Sequence, residues 1–271
     1  MSGKRDSSDA VGEVDSVETS KRFRSAVDES LTHLVCAITQ ELPLDPVTAE
    51  DGNIYERSAI EEWLKQQQKS PLTNQPMGSK LLPAFQVRSM IETMVRSGAI
   101  GGEVAESWRK RLEVEQEVAR VKEKADGGDV EAMLLLAKMY HVGRDGLKKD
   151  AKQSFRWVER AAKAGHVTGI RTLGVFYIGG HGVAKDSLMG LVLVTEAATK
   201  GDASACYLLG GWYKDGIRGL PQSAEQTRKW YERARKCDGW SEGGKFTGRQ
   251  TVEDWLLEHG QGPAVWVDPS P

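Results

Sequence analysis

The sequence predicts a small α+β domain followed by an all-α helical-repeat solenoid. Three observations carry that expectation. Tyr140, Tyr177 and Tyr213 recur at steps of 36 or 37 residues, as do Trp157, Leu193 and Trp230, and Ala161, Ala197 and Ala234. Several positions sharing one period mark a stacked array rather than one core. Ahead of the array, "VTAEDGNIY" (47–55) sets two short β-prone runs around an Asp-Gly turn, a hairpin signal. A composition of 39% apolar and 28% charged residues over 271 positions suits globular domains joined by polar segments.

Residues 1–29 are rich in Ser, Asp, Glu and Lys and read as a disordered tail. They lack the apolar core of a secretory signal, and Lys21-Arg22-Phe23-Arg24 reads as a solvated tail rather than a nuclear address. A formal net charge of -2 offers no basic surface for nucleic acid. The apolar runs are far shorter than a membrane span. Three cysteines, Cys36, Cys206 and Cys237, are scattered and odd in number. They suit a reducing compartment and no disulfide framework. A cytoplasmic protein, with the nucleus as the other compartment, is expected.

Residues 30–96 form the first domain. Val47-Thr48 and Ile54-Tyr55 flank the turn at Asp51-Gly52. Ser58-x-x-Glu61 reads as a capping box for a helix carrying Ile60, Trp63 and Leu64 at i, i+3, i+4. Pro71 and Pro76 stiffen a second loop, and Val87, Met90, Ile91 and Met94 give a second amphipathic helix. Residues 97–124 are read as a linker. After "GAIGG", Glu103 to Lys124 resumes helical spacing with a thin stripe of Trp108, Leu112, Val118 and Val121, a semi-rigid spacer about 33 Å long.

Residues 125–240 hold three repeats. In the first, Ala132, Leu135, Leu136, Met139 and Tyr140 fall on one helical face, and Gly143 and Gly146 break the helix. Asp150, Asp186 and Ser223 stand where an N-cap oxygen is needed for each second helix. Ala161 and its counterparts let the paired helices approach, and Gly165 ends the unit. Residues 241–271 supply a capping helix, Thr251 to His259, closed by Gly260, and a frayed tail.

The words "LAKMYHVGRDGLKKDAKQSFRWVERAAKAGH" and their two looser copies resemble the Sel-one-like repeat family, relatives of the tetratricopeptide repeat. The words "CAITQELPLDPVTAEDGNIYERSAIEEWL", "KSPLTNQPM" and "LLPAFQVRSMI" resemble the U-box family of ubiquitin ligases over residues 34–95. The related RING finger holds equivalent loops with zinc, which takes about four ligands per structural site. Cys36 is the only Cys or His between residues 34 and 95, so no zinc or other cofactor is expected there. The resemblance instead implies loops tied by polar side chains: Thr39, Glu41, Asp45, Asp51, Glu56, Arg57, Ser70 and Thr73.

The resemblance also implies a ubiquitin-protein transferase with no catalytic residue and no covalent enzyme–ubiquitin intermediate. A conjugating enzyme loaded with ubiquitin would dock on Ile38, Trp63 and Pro71, with Gln40 and Asn74 as further contacts. Proximity alone lowers the barrier by several kcal/mol in such a scheme. Asn74 stands where some relatives carry an arginine, Ala37 where proline is frequent, and Ala84 where an asparagine amide ties the loops. The repeats would recruit a protein substrate or adaptor, and homodimerisation stays open. The rival reading is a non-catalytic scaffold with a degenerate U-box. From the residues themselves, Cys36 reads as a buried core thiol and the five histidines as dispersed, those in the array falling near repeat turns.

Overall fold

The computed structural model describes Glu29, residues 31–237 and residues 249–259. The N-terminal tail, its basic patch, Gly260 and the C-terminal tail lie outside the described residues. The chain divides into two compact units, one up to Glu115 and one from Gln116.

The first unit contains strands β1 (Pro46–Thr48), β2 (Ile54–Glu56) and β3 (Leu82–Pro83), with helices α1 (Arg57–Gln66) and α2 (Phe85–Ser97). Helix α3 (Gly102–Asp126) begins in this unit. The sheet is antiparallel with order β2-β1-β3. Val47 pairs with Tyr55 and Thr48 with Ile54, as the hairpin spacing predicts, and Gly52 takes φ 77° at the turn. β3 has too little alternation to be read from sequence. The capping box at Ser58 does not form: α1 starts at Arg57, and the N-cap residue Glu56 turns its carboxylate to the amides of Leu44 and Asp45.

Two cores build this unit. Cys36, Val47, Tyr55, Ile60, Leu64 and Met77 pack together between hairpin and α1. Leu34, Leu42, Ile91, Val95, Ile100 and Trp108 form the other, between α2 and the start of α3. Trp108 and Leu112, expected on a free spacer, therefore pack into the first unit's core. A thin apolar stripe suffices for this because Trp108 alone contributes a large buried surface. Met90, expected on the buried face of α2, is exposed, and Val95 is buried in its stead.

The second unit begins with the end of α3, whose Val118, Val121 and Ala125 pack on the first repeat. The repeats follow as helix pairs: α4 (Val130–Val142) with α5 (Ala151–Lys163), α6 (Val167–Gly179) with α7 (Ser187–Thr199), and α8 (Ala203–Asp215) with α9 (Ala224–Arg235). Helix α10 (Arg249–His259) sets Val252 and Trp255 against Tyr231. No helix among the described residues is long and apolar enough to cross a membrane.

Each pair turns by the same device. Gly143, Gly180 and Gly216 take left-handed φ at the first helix's C-cap. The amides of Asp150, Asp186 and Ser223 then donate to the carbonyls of Tyr140, Tyr177 and Tyr213 at 2.8–2.9 Å. The side chains of the same three residues cap the second helix, accepting from Gln153, Met189 and Gln226 N. Asp129 and Asp202 cap first helices as well. Leu135, expected on the buried face of α4, is 41% exposed, because the buried stripe shifts to Met133, Leu136 and Ala137.

Small residues let the helices of each pair approach: Ala137 meets Ser154, Gly174 meets Gly190, and Gly210 lies against the ring of Tyr231. Ser154 Oγ donates to the Ala137 carbonyl at 2.7 Å. A Cβ on Gly190 would stand 2.6 Å from the Gly174 carbonyl oxygen, inside contact distance. Gly190→Ala is expected to cost about 1–3 kcal/mol by overpacking, although alanine is the better helix former. Chemical denaturation of the purified chain checks this; an unchanged or higher midpoint contradicts the close crossing.

Candidate docking site

Two loops of the first unit share one backbone pattern. In residues 36–41, Cys36 N donates to Glu41 O at 2.9 Å and Gln40 N to Cys36 O at 2.8 Å. In residues 70–75, Ser70 N donates to Gln75 O at 2.9 Å and Asn74 N to Ser70 O at 3.0 Å. Gln40 and Asn74 each take φ 58°. Position by position, Ala37 corresponds to Pro71, Ile38 to Leu72 and Gln40 to Asn74. The left-handed backbone gives Asn74 a local reason to be asparagine, the non-glycine residue that tolerates this region best.

A half-buried carboxylate, Asp51, fixes the second loop. Ser70 Oγ donates to Asp51 Oδ2 at 2.5 Å, Tyr55 OH to the same oxygen at 2.8 Å, and Asn53 N to Asp51 Oδ1 at 3.0 Å. Ser70 Oγ also accepts from the amides of Leu72 and Thr73. The loop is thus folded around one hydroxyl, and that hydroxyl is anchored to the hairpin turn. Burial pushes the Asp51 carboxyl upward, but its hydrogen bonds outweigh burial and hold it below the usual carboxylate range. Burial, then the bond to Asp51, raises the Tyr55 phenol.

Glu56, Asp45 and Arg57 hold the stretch between the first loop and β1. Glu56 accepts from Leu44 N at 2.7 Å, and Arg57 Nε donates to Asp45 Oδ2 at 2.6 Å. That bond raises the Arg57 guanidinium's pKa. Three successive carbonyls of the same stretch are capped from elsewhere: Leu42 by Arg111, Pro43 by Trp108 and Leu44 by Arg88. Arg111 also pairs with Glu41 at 3.1 Å and Arg88 with Glu115 at 2.7 Å. Thr39 does not join the network: among the described residues its buried Oγ1 has no hydrogen-bond partner. Thr73 acts only locally, its Oγ1 accepting from Gln75 N at 3.4 Å.

Ile38 and Trp63 rest on the same core, and the indole of Trp63 donates to Lys69 O at 2.8 Å. Pro71 is half-buried beside Ser70, while Gln40 and Asn74 are exposed. The Gln40 amide is turned back onto Ala37 O at 2.7 Å. Leu72, absent from the expected set, is 57% exposed and, with Ala37, Gln40, Asn53 and Ile54, lines a depression of about 280 Å³. The signal that reveals it is its correspondence to Ile38 in the paired loop. Cys36 is wholly buried. Ala84 is buried, and its amide donates to Pro46 O at 2.9 Å.

The array carries a second surface that buried periodicity does not register. Leu188, Met189 and Val192 of α7 are 73%, 45% and 55% exposed. Their counterparts are Lys152, Gln153 and Arg156 in the first repeat and Glu225, Gln226 and Lys229 in the third. An outer face that is charged in two repeats is therefore apolar in the middle one. Among the described residues no cluster of three or more His, Cys, Asp or Glu could hold a metal ion.

Residues 32–98 match the family model for the U-box domain, and residues 130–166, 172–202 and 203–238 match that for the Sel1 repeat. The chain thus joins a U-box domain to three Sel1 repeats. It is 43% identical over 70 residues to U-box domain-containing protein 35 of Arabidopsis thaliana, covering 26% of this chain and 8% of that protein. It is 48% identical over 50 residues to a Lotus japonicus protein named provisionally as the E3 ubiquitin-protein ligase LIN-1, covering 18% of this chain and 3% of that one. Both alignments span a small fraction of the relatives' own lengths. A Sel1 repeat protein from Oxalobacter formigenes, solved by crystallography, is 33% identical with a TM-score of 0.40, covering 44% of this chain and 88% of that one.

Ser70→Ala removes the donor to Asp51 and the acceptor of two loop amides, at an expected cost of about 1–3 kcal/mol. Amide exchange at Leu72 and Thr73 should quicken while Val47 and Tyr55 stay protected. The lowered Asp51 carboxyl sets the pH dependence. Its contribution is present above the unfolded pKa of about 3.9 and is lost as pH falls through the lower folded value. Acid titration of wild type against Asp51→Ala should converge below that range; a gap that persists there contradicts the assignment.

Proposed function

We propose that the chain is a ubiquitin-protein ligase whose U-box docks a ubiquitin-loaded conjugating enzyme and whose repeats recruit the protein substrate. One observation carries this reading. The paired loops of residues 36–41 and 70–75, closed by the same pair of backbone hydrogen bonds, carry Ile38 on one and Pro71 and the exposed Leu72 on the other, and Ile38 shares a core with Trp63 of α1. Such a surface supplies contact and orientation, with no nucleophile of its own. Cys36, the one thiol in the domain, is sealed in the core and fits no covalent ubiquitin intermediate. The transferred bond runs from the conjugating enzyme's sulfur to a lysine amine of the substrate. The ligase raises the effective concentration of the two and restrains the thioester in a reactive pose. On the array, the apolar patch of Leu188, Met189 and Val192 supports the recruiting role, since repeat arrays offer extended binding faces.

A reconstitution with activating enzyme, a panel of conjugating enzymes, ubiquitin and ATP tests the proposal. Wild type should yield ubiquitin chains or self-modification with at least one partner, and a zinc chelator should leave the rate unchanged. Ile38→Ala and Leu72→Ala should each weaken docking by about 2 kcal/mol, roughly thirtyfold, with the fold retained. The double variant Leu188→Lys, Val192→Lys should leave discharge onto free lysine intact. A chain that is inert with every conjugating enzyme would instead be a scaffold.

A further inference from the structure

We propose that Cys206 and Cys237 form a redox-modification site, a dithiol that takes a low-molecular-weight disulfide as its substrate and closes to a Cys206–Cys237 cross-link. The sequence scatters its cysteines, but the fold brings these two sulfurs to 3.9 Å, and both are free. Cys206, on α8, is wholly buried in the core that holds Ala197, Leu209 and Ala234. Cys237 lies just beyond α9, is half-buried and packs against the same core. A disulfide needs about 2.05 Å, so closure asks for roughly 2 Å of approach shared by two side chains. The third repeat does not need the pair for packing: the corresponding positions hold Met133 with Ala164, and Ile170 with Lys200.

The two thiols differ in a way that orders the chemistry. Burial, and next the neighbouring Cys237 sulfur, push the Cys206 thiol upward, and solvent reaches Cys237 more readily. Cys237 as thiolate attacks one sulfur of the small disulfide. A protein–small-molecule S–S bond forms, the original S–S bond breaks, and the released thiolate takes up the proton Cys237 gave. Cys206 then loses its proton and attacks the Cys237 sulfur, forming the internal bond and expelling the second small thiolate, which takes that proton. Two protein thiols are oxidised, and one small disulfide is reduced to two thiols. The bond would tie the first helix of the third repeat to the end of its second.

Incubation of the folded full chain with oxidised glutathione tests this. Intact mass should fall by about 2 Da, and an unreduced digest should link Cys206 to Cys237 while Cys36 stays free. Cys206→Ser should stop at one glutathione adduct on Cys237, and Cys237→Ser should stay unmodified. A stable adduct on Cys237 in wild type overturns the proposal. So does a link to Cys36, or no reaction in a chain whose circular dichroism is native.

Discussion

The carboxylate of Asp51 is the interaction on which the proposed docking surface depends. It sits in the turn between two three-residue strands, and it receives the hydroxyls of Tyr55, from β2, and Ser70, from the second loop. Ser70 in turn accepts the amides that give the loop its curl. A single neutral hydrogen bond nets about 1 kcal/mol, and bonds to a charged group about twice that. Ser70 accepts two amides while donating to Asp51, and such a chain makes the bonds cooperative rather than merely additive. In a small domain with little apolar surface to spare, such a hub does what a metal ion does in zinc-bound loops.

The first loop is held from another direction. Its chain leaves Glu41 through three carbonyls capped by Arg111, Trp108 and Arg88, two of them from the start of α3. That helix is therefore structural for the loop, and the compact unit runs on to Glu115. Arg111 and Arg88 each couple a carbonyl to an ion pair with Glu41 or Glu115. The pairs are partly exposed and individually weak. Their value lies in fixing the direction of the guanidinium that caps the carbonyl.

Much of this is legible in the amino-acid sequence. The hairpin register follows from Asp51-Gly52 with β-prone flanks, and the array from its period, including the caps at Asp150, Asp186 and Ser223. The failures have physical reasons. Glu56 is drawn away from the helix by two amides upstream, so the capping box at Ser58 never competes. The U-box resemblance implies Thr39 as a loop tie, yet among the described residues its hydroxyl is enclosed without a partner. Leu135 fits the helical stripe by residue type, but the stripe is rotated by what α5 and α3 present. Leu72 and the Cys206–Cys237 pair depend on tertiary juxtaposition, which spacing alone does not encode.

The geometry and the proposed activity meet at one point: a second loop whose shape is set by Asp51 and whose exposed Leu72 would, under the proposal, meet the incoming carrier. Single-turnover discharge of ubiquitin from a charged conjugating enzyme onto free lysine, with wild-type chain and Asp51→Ala compared at equal folded concentration, addresses it most directly. Wild type should accelerate discharge and the variant should fall back toward the unassisted rate. An Asp51→Ala chain that accelerates discharge as fully as wild type would contradict the account.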